Sequence, residues 1–175
     1  MTAIEFVIFR ILRMFRKLPI NILGFGNRKV IFNDLFKDFE KVEAVRGIFG
    51  EKTKQVLSNL KVELSWIMGY MYVDSSDGHL VISKSYLNSG DKIDIYLDLI
   101  HELCHVKQYM DGKELFDPQY DYVDRPTEIQ AYSYAVQEAK RLGLSDERIC
   151  LYLRTEWMGE NDFRRLAKSV NVLVR

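Results

Sequence analysis

The stretch DKIDIYLDLIHELCHVKQYMDGK, residues 91–113, carries the clearest structural signal of the chain. Ile93, Leu97 and Ile100 recur at the spacing of one helix face, and Gly112 is well placed to end the helix. Further apolar residues surround these positions, as they do in a helix that is buried inside a protein. We therefore expect a long central helix against which the remaining elements pack.

This predicted helix contains the pattern His-x-x-x-His, with a glutamate directly after the first histidine. His101 and His105 lie four residues apart, so they share one face and can ligate the same metal ion. Glu102 lies one position further round, where its carboxylate can take a proton from a water molecule on a zinc ion. The chain has only 3 histidines, and a chance match has odds of about one in 200. The alternative is a pair of solvated histidines, which the apolar surroundings disfavour.

A catalytic zinc ion usually has three protein ligands, so two histidines leave one position to fill. The best candidate is Glu128, at the start of the next predicted helix, because Ala131 and Ala135 share its face and allow a close approach of the two helices. A first-turn carboxylate that only complements the helix dipole is the alternative. Asp121 and Asp124 are the reserve ligands. We expect one zinc ion per chain.

Between residues 61 and 87 the pattern becomes extended, with many β-branched and aromatic side chains. A strong turn signal at 75–78 separates two candidate strands, the second of which covers residues 80–83. We expect a short antiparallel hairpin that ends at a turn over 88–90. His79 would then lie in the hairpin turn, exposed to solvent.

Helical patterns occupy most of the remaining chain. The predicted helices cover residues 3–18 (ended by Pro19), a broken stretch over 33–59, and residues 127–141, 146–157 and 161–168, with a loop over 21–27. No repeat or linker divides the sequence. We expect one α+β domain over residues 1–175, in which a short antiparallel sheet packs on the central helix. A basic amphipathic helix would occupy residues 1–20 and a catalytic core residues 61–141.

The composition excludes several classes of protein. The 25 basic and 25 acidic residues balance, which argues against a nucleic-acid partner. Only 2 cysteines are present, so a disulfide framework is not expected and a reducing, cytoplasmic location is the simplest interpretation. No apolar run is long enough and free enough of charge to predict a transmembrane helix.

The first predicted helix has two interpretations. Its apolar side can close the core while Arg10, Arg13 and Lys17 face water, which is the interpretation we prefer. Alternatively, the basic face can bring the helix into peripheral contact with anionic lipid, so that a cytoplasmic protein becomes membrane-associated. The sequence does not choose an oligomeric state.

The motif HELCH, followed by the sequence RPTEIQAY at 125–132, resembles the gluzincin branch of the zincin metallopeptidases. The short chain is similar to the minimal archaeal gluzincins called minigluzincins. The resemblance covers the region from the hairpin to residue 141. It implies a peptidase that cleaves peptides or unstructured proteins, with residues 80–83 as a strand above the cleft that pairs with an extended substrate. It also implies a zymogen held inactive by a terminal segment, for which the apolar tail 169–174 is a candidate.

A peptidase also needs a group that stabilises the negative charge on the attacked carbonyl oxygen. Tyr120, Tyr122, Arg125 and Tyr132 are the candidates, and the sequence alone leaves the choice open. The rival interpretation from another functional class is a zincin-like module that binds zinc for regulation or interaction, without significant turnover.

Overall fold

The structure is a computed structural model that describes residues 3–15, 29–66 and 68–174, with side chains of the first segment from Phe9 onward. Within these residues the fold is α+β, as predicted. The helices are α1 (Ala3–Met14), α2 (Phe32–Leu35), α3 (Glu43–Phe49), α4 (Thr53–Asn59), α5 (Lys84–Ser89), α6 (Lys92–Met110), α7 (Pro126–Arg141), α8 (Asp146–Leu153) and α9 (Glu160–Ser169). The strands are β1 (Lys29–Ile31), β2 (Lys61–Ser65), β3 (Met71–Val73) and β4 (Leu80–Ser83). The predicted loop over 21–27 lies outside the described residues. Helix α1 ends at Met14, earlier than the predicted end at residue 18, and Phe15 forms an isolated β-bridge with Phe36.

Helix α6 is the long buried helix that the sequence predicts. The Asp91 carboxylate caps it by accepting hydrogen bonds from the backbone N–H groups of Ile93 at 2.9 Å and Asp94 at 3.1 Å. Most of its residues are buried, and it packs against α1, α3, α7 and β3. Gly112 ends it with a φ of +72°, a conformation that glycine adopts without strain.

The sheet is mixed, so the predicted antiparallel sheet is wrong in one pairing. Its strand order is β1-β2-β4-β3: β1 pairs with β2 and β3 with β4 in antiparallel fashion, but β2 and β4 are parallel. The expected hairpin exists as β3–β4, and Gly78 in its turn has a φ of +75°. A sequence pattern indicates strands and tight turns, whereas the pairing of β2 with β4 depends on how both strands pack on the helices.

Strand β4 is not the strand that can pair with a substrate. Residues 80–83 lie between β2 and β3, so both edges of this strand are already hydrogen-bonded. An extended peptide needs an edge with unpaired N–H and C=O groups. Among the described strands, β3 is the edge that packs against α6, and it takes over this candidate role.

Three further boundaries differ from the prediction. Residues 84–87 belong to α5 rather than to a strand, because the Ser83 hydroxyl caps a helix there by accepting from the Tyr86 N–H. Helix α8 begins after its predicted cap Ser145 but ends at Leu153, before residue 157. The stretch 33–59 is broken twice, over residues 36–42 between α2 and α3 and again at Gly50, which has a φ of +57°, while Gly47 lies inside α3.

The described part of α1 is docked on the core. Ile11 is buried, and the ring of Phe15 packs edge-on against Phe36 at 5.7 Å between centroids. Arg10 and Arg13 are exposed, as predicted, and about half of Leu12 is exposed as well. No helix in the described part of the chain combines the length and apolar character that a membrane crossing needs.

The tail packs as part of the core. Val170 and Val172 are buried, and the backbone carbonyl of Asn171 accepts a hydrogen bond from Lys140 of α7 at 2.5 Å. The carbonyl of Leu173 lies 3.6 Å from the Cys150 thiol of α8. Residues 169–174 therefore lie against α7 and α8, and none of them lines the cleft described below.

Candidate metal centre

The two histidines of α6 and the first-turn glutamate of α7 converge on one point. His101 Nε2 and His105 Nε2 lie 2.9 Å apart, and Glu128 Oε2 lies 3.3 Å from the first and 3.4 Å from the second. Tetrahedral zinc with bonds of about 2.0–2.1 Å requires ligand atoms about 3.4 Å apart, so this metal triad of His101, His105 and Glu128 fits a single ion. All three side chains are buried.

Gln108 fixes the orientation of His105, one of the three candidate ligands. Its Oε1 lies 2.7 Å from His105 Nδ1, which therefore carries the proton and leaves the Nε2 lone pair pointing at the triad centre. The Gln108 amide donates to the backbone carbonyl of Thr127 at 2.9 Å and to Gln130 at 3.0 Å. The matching Nδ1 of His101 has no hydrogen-bond partner in the described segments. Gln108 thus links a ligand of α6 to the first turn of α7.

Helix α7 brings Glu128 to the histidines by close packing. Pro126 occupies its first turn, where a missing N–H costs nothing. Ala131 and Ala135 are completely buried, and α7 packs along α6, as the small side chains predict. Further along, the Tyr96 hydroxyl of α6 donates to the buried Glu138 of α7 at 2.7 Å. Arg141 forms two hydrogen bonds to the same carboxylate.

The charges of the triad are strongly coupled. Burial disfavours ionisation of Glu128, but the hydrogen bonds and charges of both imidazoles outweigh it and hold the pKa of this carboxyl well below its usual range. Burial also opposes protonation of His105, yet Glu128 and Glu102 raise its pKa to about 9. For His101, burial lowers the pKa. A proton on His105 and a divalent cation are therefore alternative ways to balance the carboxylate charge, and they compete.

Glu102 lies beside the triad and not in it. It is 8% exposed, its Oε2 has no hydrogen-bond partner among the described residues, and its carboxylate accepts a hydrogen bond from the Val73 N–H of β3. Burial raises the pKa of this carboxyl to about 8. A neighbouring cation would lower that pKa toward neutrality, the range in which a general base works best.

A cleft of about 310 Å³ opens next to Glu102 and His101. Of the four candidates for the carbonyl-stabilising group, Tyr122 and Tyr132 line it, whereas Tyr120 and Arg125 do not. The two lining hydroxyls lie 3.1 Å apart, and the Tyr132 ring packs against the His101 imidazole at 4.3 Å between centroids. Burial raises the pKa of both phenols above its usual value, so both remain protonated and can donate hydrogen bonds.

The reserve ligands lie elsewhere. Asp121 and Asp124 both pair with Arg165 of α9, Asp121 at 3.2 Å. Neither carboxylate joins the triad. The choice of Glu128 over these two aspartates agrees with the geometry.

His79 was expected to be exposed, and this prediction is wrong. The side chain is 6% exposed, with Nε2 at 3.4 Å from Glu63 of β2. Its Nδ1 contacts Asp77, and Lys29 of β1 reaches both groups, at 2.9 Å from Asp77 and 3.1 Å from His79 Nδ1. Because β1 and β2 fold over the turn, the imidazole is covered. Asp74, Asp77 and His79 form a second group of potential metal ligands, which we call the turn cluster.

Several residues of the site escaped the sequence analysis. Asp98 and Gln108 lie one turn away from His101 and His105 on α6, so helical spacing could have pointed to them. Tyr152 and Trp157 reach the cleft from α8 and the loop that follows it. No local signal in the sequence indicates those two, because only the tertiary packing brings them there.

Comparison of the chain with protein-family models, with curated proteins and with solved structures found no match.

Proposed function

We propose that the protein is a zinc-dependent metallopeptidase with His101, His105 and Glu128 as metal ligands and Glu102 as general base. The observation that carries the proposal is the convergence of two imidazole nitrogens and a carboxylate oxygen at 2.9–3.4 Å inside a buried pocket. Next to it stands a second carboxylate with a free oxygen. The two imidazole lone pairs and the negatively charged carboxylate oxygen face one point, so a cation at that point is favoured.

The residues divide the work of hydrolysis between them. A zinc ion held by His101, His105 and Glu128 would act as a Lewis acid and would lower the pKa of a water molecule. Glu102 takes the proton of the attacking water and passes it to the amine that leaves. The hydroxyl of Tyr132 or Tyr122 donates a hydrogen bond to the carbonyl oxygen as negative charge develops on it.

The edge of β3 supports a peptide as the substrate. This strand packs against α6, and the Val73 N–H reaches the Glu102 carboxylate, so the strand edge lies beside the proposed base. Tyr70 and Met71, at the start of the strand, line the cleft. An extended peptide paired with this edge would pass over Glu102, and an unstructured protein segment can present its backbone in this way.

The replacement Glu102→Gln tests the proposal. Because the side chain lies beside the triad, we expect the variant to keep its fold and its zinc while cleavage of an unstructured protein such as casein falls by about 100-fold or more. Zinc content and melting temperature are measured alongside the cleavage rate. The exposed Glu114→Gln is a matched control that should cleave like the wild type.

Equal cleavage by wild type and Glu102→Gln, with zinc in both, would contradict the assigned role of Glu102. A wild type that holds zinc but cleaves nothing over a broad panel of unstructured substrates would favour the rival function, a zinc-binding regulatory or interaction module.

A further inference from the structure

We infer that the cleft beside Glu102 binds a cationic side chain of the substrate, lysine or arginine, with the Asp98 carboxylate as its counter-charge. The inference rests on the proposed peptidase function and adds a substrate preference to it. The cleft extends from His101 toward the start of α6, away from the metal triad, and Asp94 and Asp98 line this part. A side chain that flanks the cleaved bond would enter here.

Asp98 carries a charge that no described basic residue balances. It lies one turn before His101 on α6, and its carboxylate accepts a hydrogen bond from the Tyr86 hydroxyl at 2.5 Å. Burial raises the pKa of this carboxyl to about 6, so it is ionised at neutral pH. A half-buried carboxylate whose partners are two neutral phenol hydroxyls, those of Tyr86 and Tyr152, attracts a cation more strongly than one in water.

Arg154 lines the cleft and Arg148 contacts its Asp94, but both arginines are bound to other groups. Arg148 pairs with Asp94 at 2.5 Å and with Asp91 at 3.1 Å. Arg154 pairs with Glu160 at 2.9 Å, and its guanidinium stacks over the Phe163 ring at 4.4 Å. Asp94 is therefore neutralised and Asp98 is not. The uncompensated negative charge of the cleft therefore lies at Asp98.

Two further polar groups accompany the Asp98 carboxylate. Oγ1 of Thr155 forms no hydrogen bond within the described ranges, and the hydroxyl of Tyr152, a residue that is 8% exposed, is directed at Asp98 and keeps its oxygen lone pairs as acceptors. Both residues line the cleft together with Asp98. A lysine ammonium carries three N–H donors and an arginine guanidinium five, and neither has an acceptor. A carboxylate and two hydroxyl oxygens are acceptors that suit such a group.

The electrostatics and the walls of the cleft agree with a cationic occupant. Burial raises the pKa of Tyr70, and the negative charges of Glu156, Asp98 and Asp94 raise it further, so the field in this part of the cleft is negative. Aromatic rings form the walls: Tyr70 packs against Tyr86, and Tyr122 against Trp157. Such faces accept both the methylene stem and the charged end of lysine or arginine.

The experiment compares peptides that differ by one charge. The wild-type chain, supplied with zinc, digests casein, and mass spectrometry identifies the bonds it cleaves. One cleaved peptide with lysine or arginine next to the bond is then synthesised again with uncharged norleucine at that position. We expect kcat/KM to fall by about 10-fold or more on this change in the wild type, and the difference to disappear in Asp98→Asn. Asparagine keeps the shape and can still accept from Tyr86, and a melting curve verifies the fold.

The control is Asp91→Asn, which removes the same charge from the same helix outside the cleft and keeps a residue that can cap it. This variant should retain the preference for the charged peptide. Cleavage that shows no preference for basic residues, or a preference that survives in Asp98→Asn, would overturn the inference while leaving the peptidase function intact.

A binding measurement separates the inference from the peptidase function. An acetylated and amidated pentapeptide, with one central lysine among alanines, is titrated into Glu102→Gln beside its norleucine counterpart. We expect the lysine peptide to bind about 10-fold or more tightly, and Asp98→Asn to remove the difference. If the wild type cleaves nothing but this binding difference is found, the peptidase proposal fails and the cationic site stands. Equal binding of the two peptides would refute the cationic site.

Discussion

The metal triad and the turn cluster offer similar ligand atoms in opposite surroundings. In each, histidine nitrogens and carboxylate oxygens lie within 4.8 Å of one another. The triad is buried between two long helices, and no lysine or arginine of the described residues pairs with its Glu128. In the turn cluster, the amine of Lys29 contacts both Asp77 and His79. The turn cluster contains a lysine ammonium group, whereas only an exchangeable proton on His105 balances the carboxylate charge of the triad. The local charge balance therefore distinguishes the two clusters better than their residue types do.

The largest expected difference between the two clusters concerns their histidines. We expect the wild type to hold about one zinc per chain, and His101→Ala or His105→Ala to lose it, because each removes a direct ligand. His79→Ala, the matched change in the turn cluster, should keep the full zinc content. Elemental analysis after dialysis measures all four proteins. A wild type without zinc, although zinc was supplied, would remove the basis of the comparison.

Substitution of the carboxylates should likewise lower zinc affinity in the triad and not in the turn cluster, by less than substitution of the histidines. Glu128→Ala should weaken zinc binding by about 10-fold or more, since two ligands remain to hold the ion. Asp77→Ala, Asp121→Ala and Asp124→Ala should leave the affinity unchanged. Competition with a chromophoric chelator gives the affinities. An unchanged affinity in Glu128→Ala would transfer the third position to another group.

The smallest expected effect is a gain of binding. If the amine of Lys29 keeps metal out of the turn cluster, Lys29→Met should allow a second, weak zinc ion to bind there, because Asp77 and His79 lose their cationic partner. Lys61→Met, on the neighbouring strand, removes an equal charge from an exposed position and should not create this site. Zinc titration followed by calorimetry counts the sites. A single site in Lys29→Met would show that charge balance is not what separates the clusters.

The parts of the fold that depend on local patterns were predictable. Helix α6 follows from the spacing of Ile93, Leu97 and Ile100, and α7 from Pro126 and its alanines. The placement of Glu128 next to His101 could be anticipated too, because it requires only that two consecutive helices pack closely.

The parts that depend on distant segments were not predictable. Burial of His79 requires β1 and β2 to cover a turn, and nothing near residue 79 indicates that they do. Because β2 pairs in parallel with β4, β4 lies inside the sheet and β3 forms the edge. The candidate edge for an extended peptide is therefore β3 and not β4. The acceptors Tyr152 and Thr155 lie on the C-terminal side of α7, and only the packing of α8 brings them to the cleft.

The hydrogen bonds between Tyr96, Glu138 and Arg141 tie α6 to α7 far from the ligands. These hydrogen bonds and the buried alanines hold the two helices together without a metal ion. The loss of conformational entropy on ordering the segment between α6 and α7 is therefore offset by helix packing and not by metal binding. We therefore expect the metal-free chain to keep its native shape, unlike small zinc domains that unfold when the ion is removed. In the proposed zinc enzyme, loss and recovery of the ion would change only the occupancy of a preformed site. Availability of zinc would then switch the activity off and on again without a cycle of unfolding and refolding.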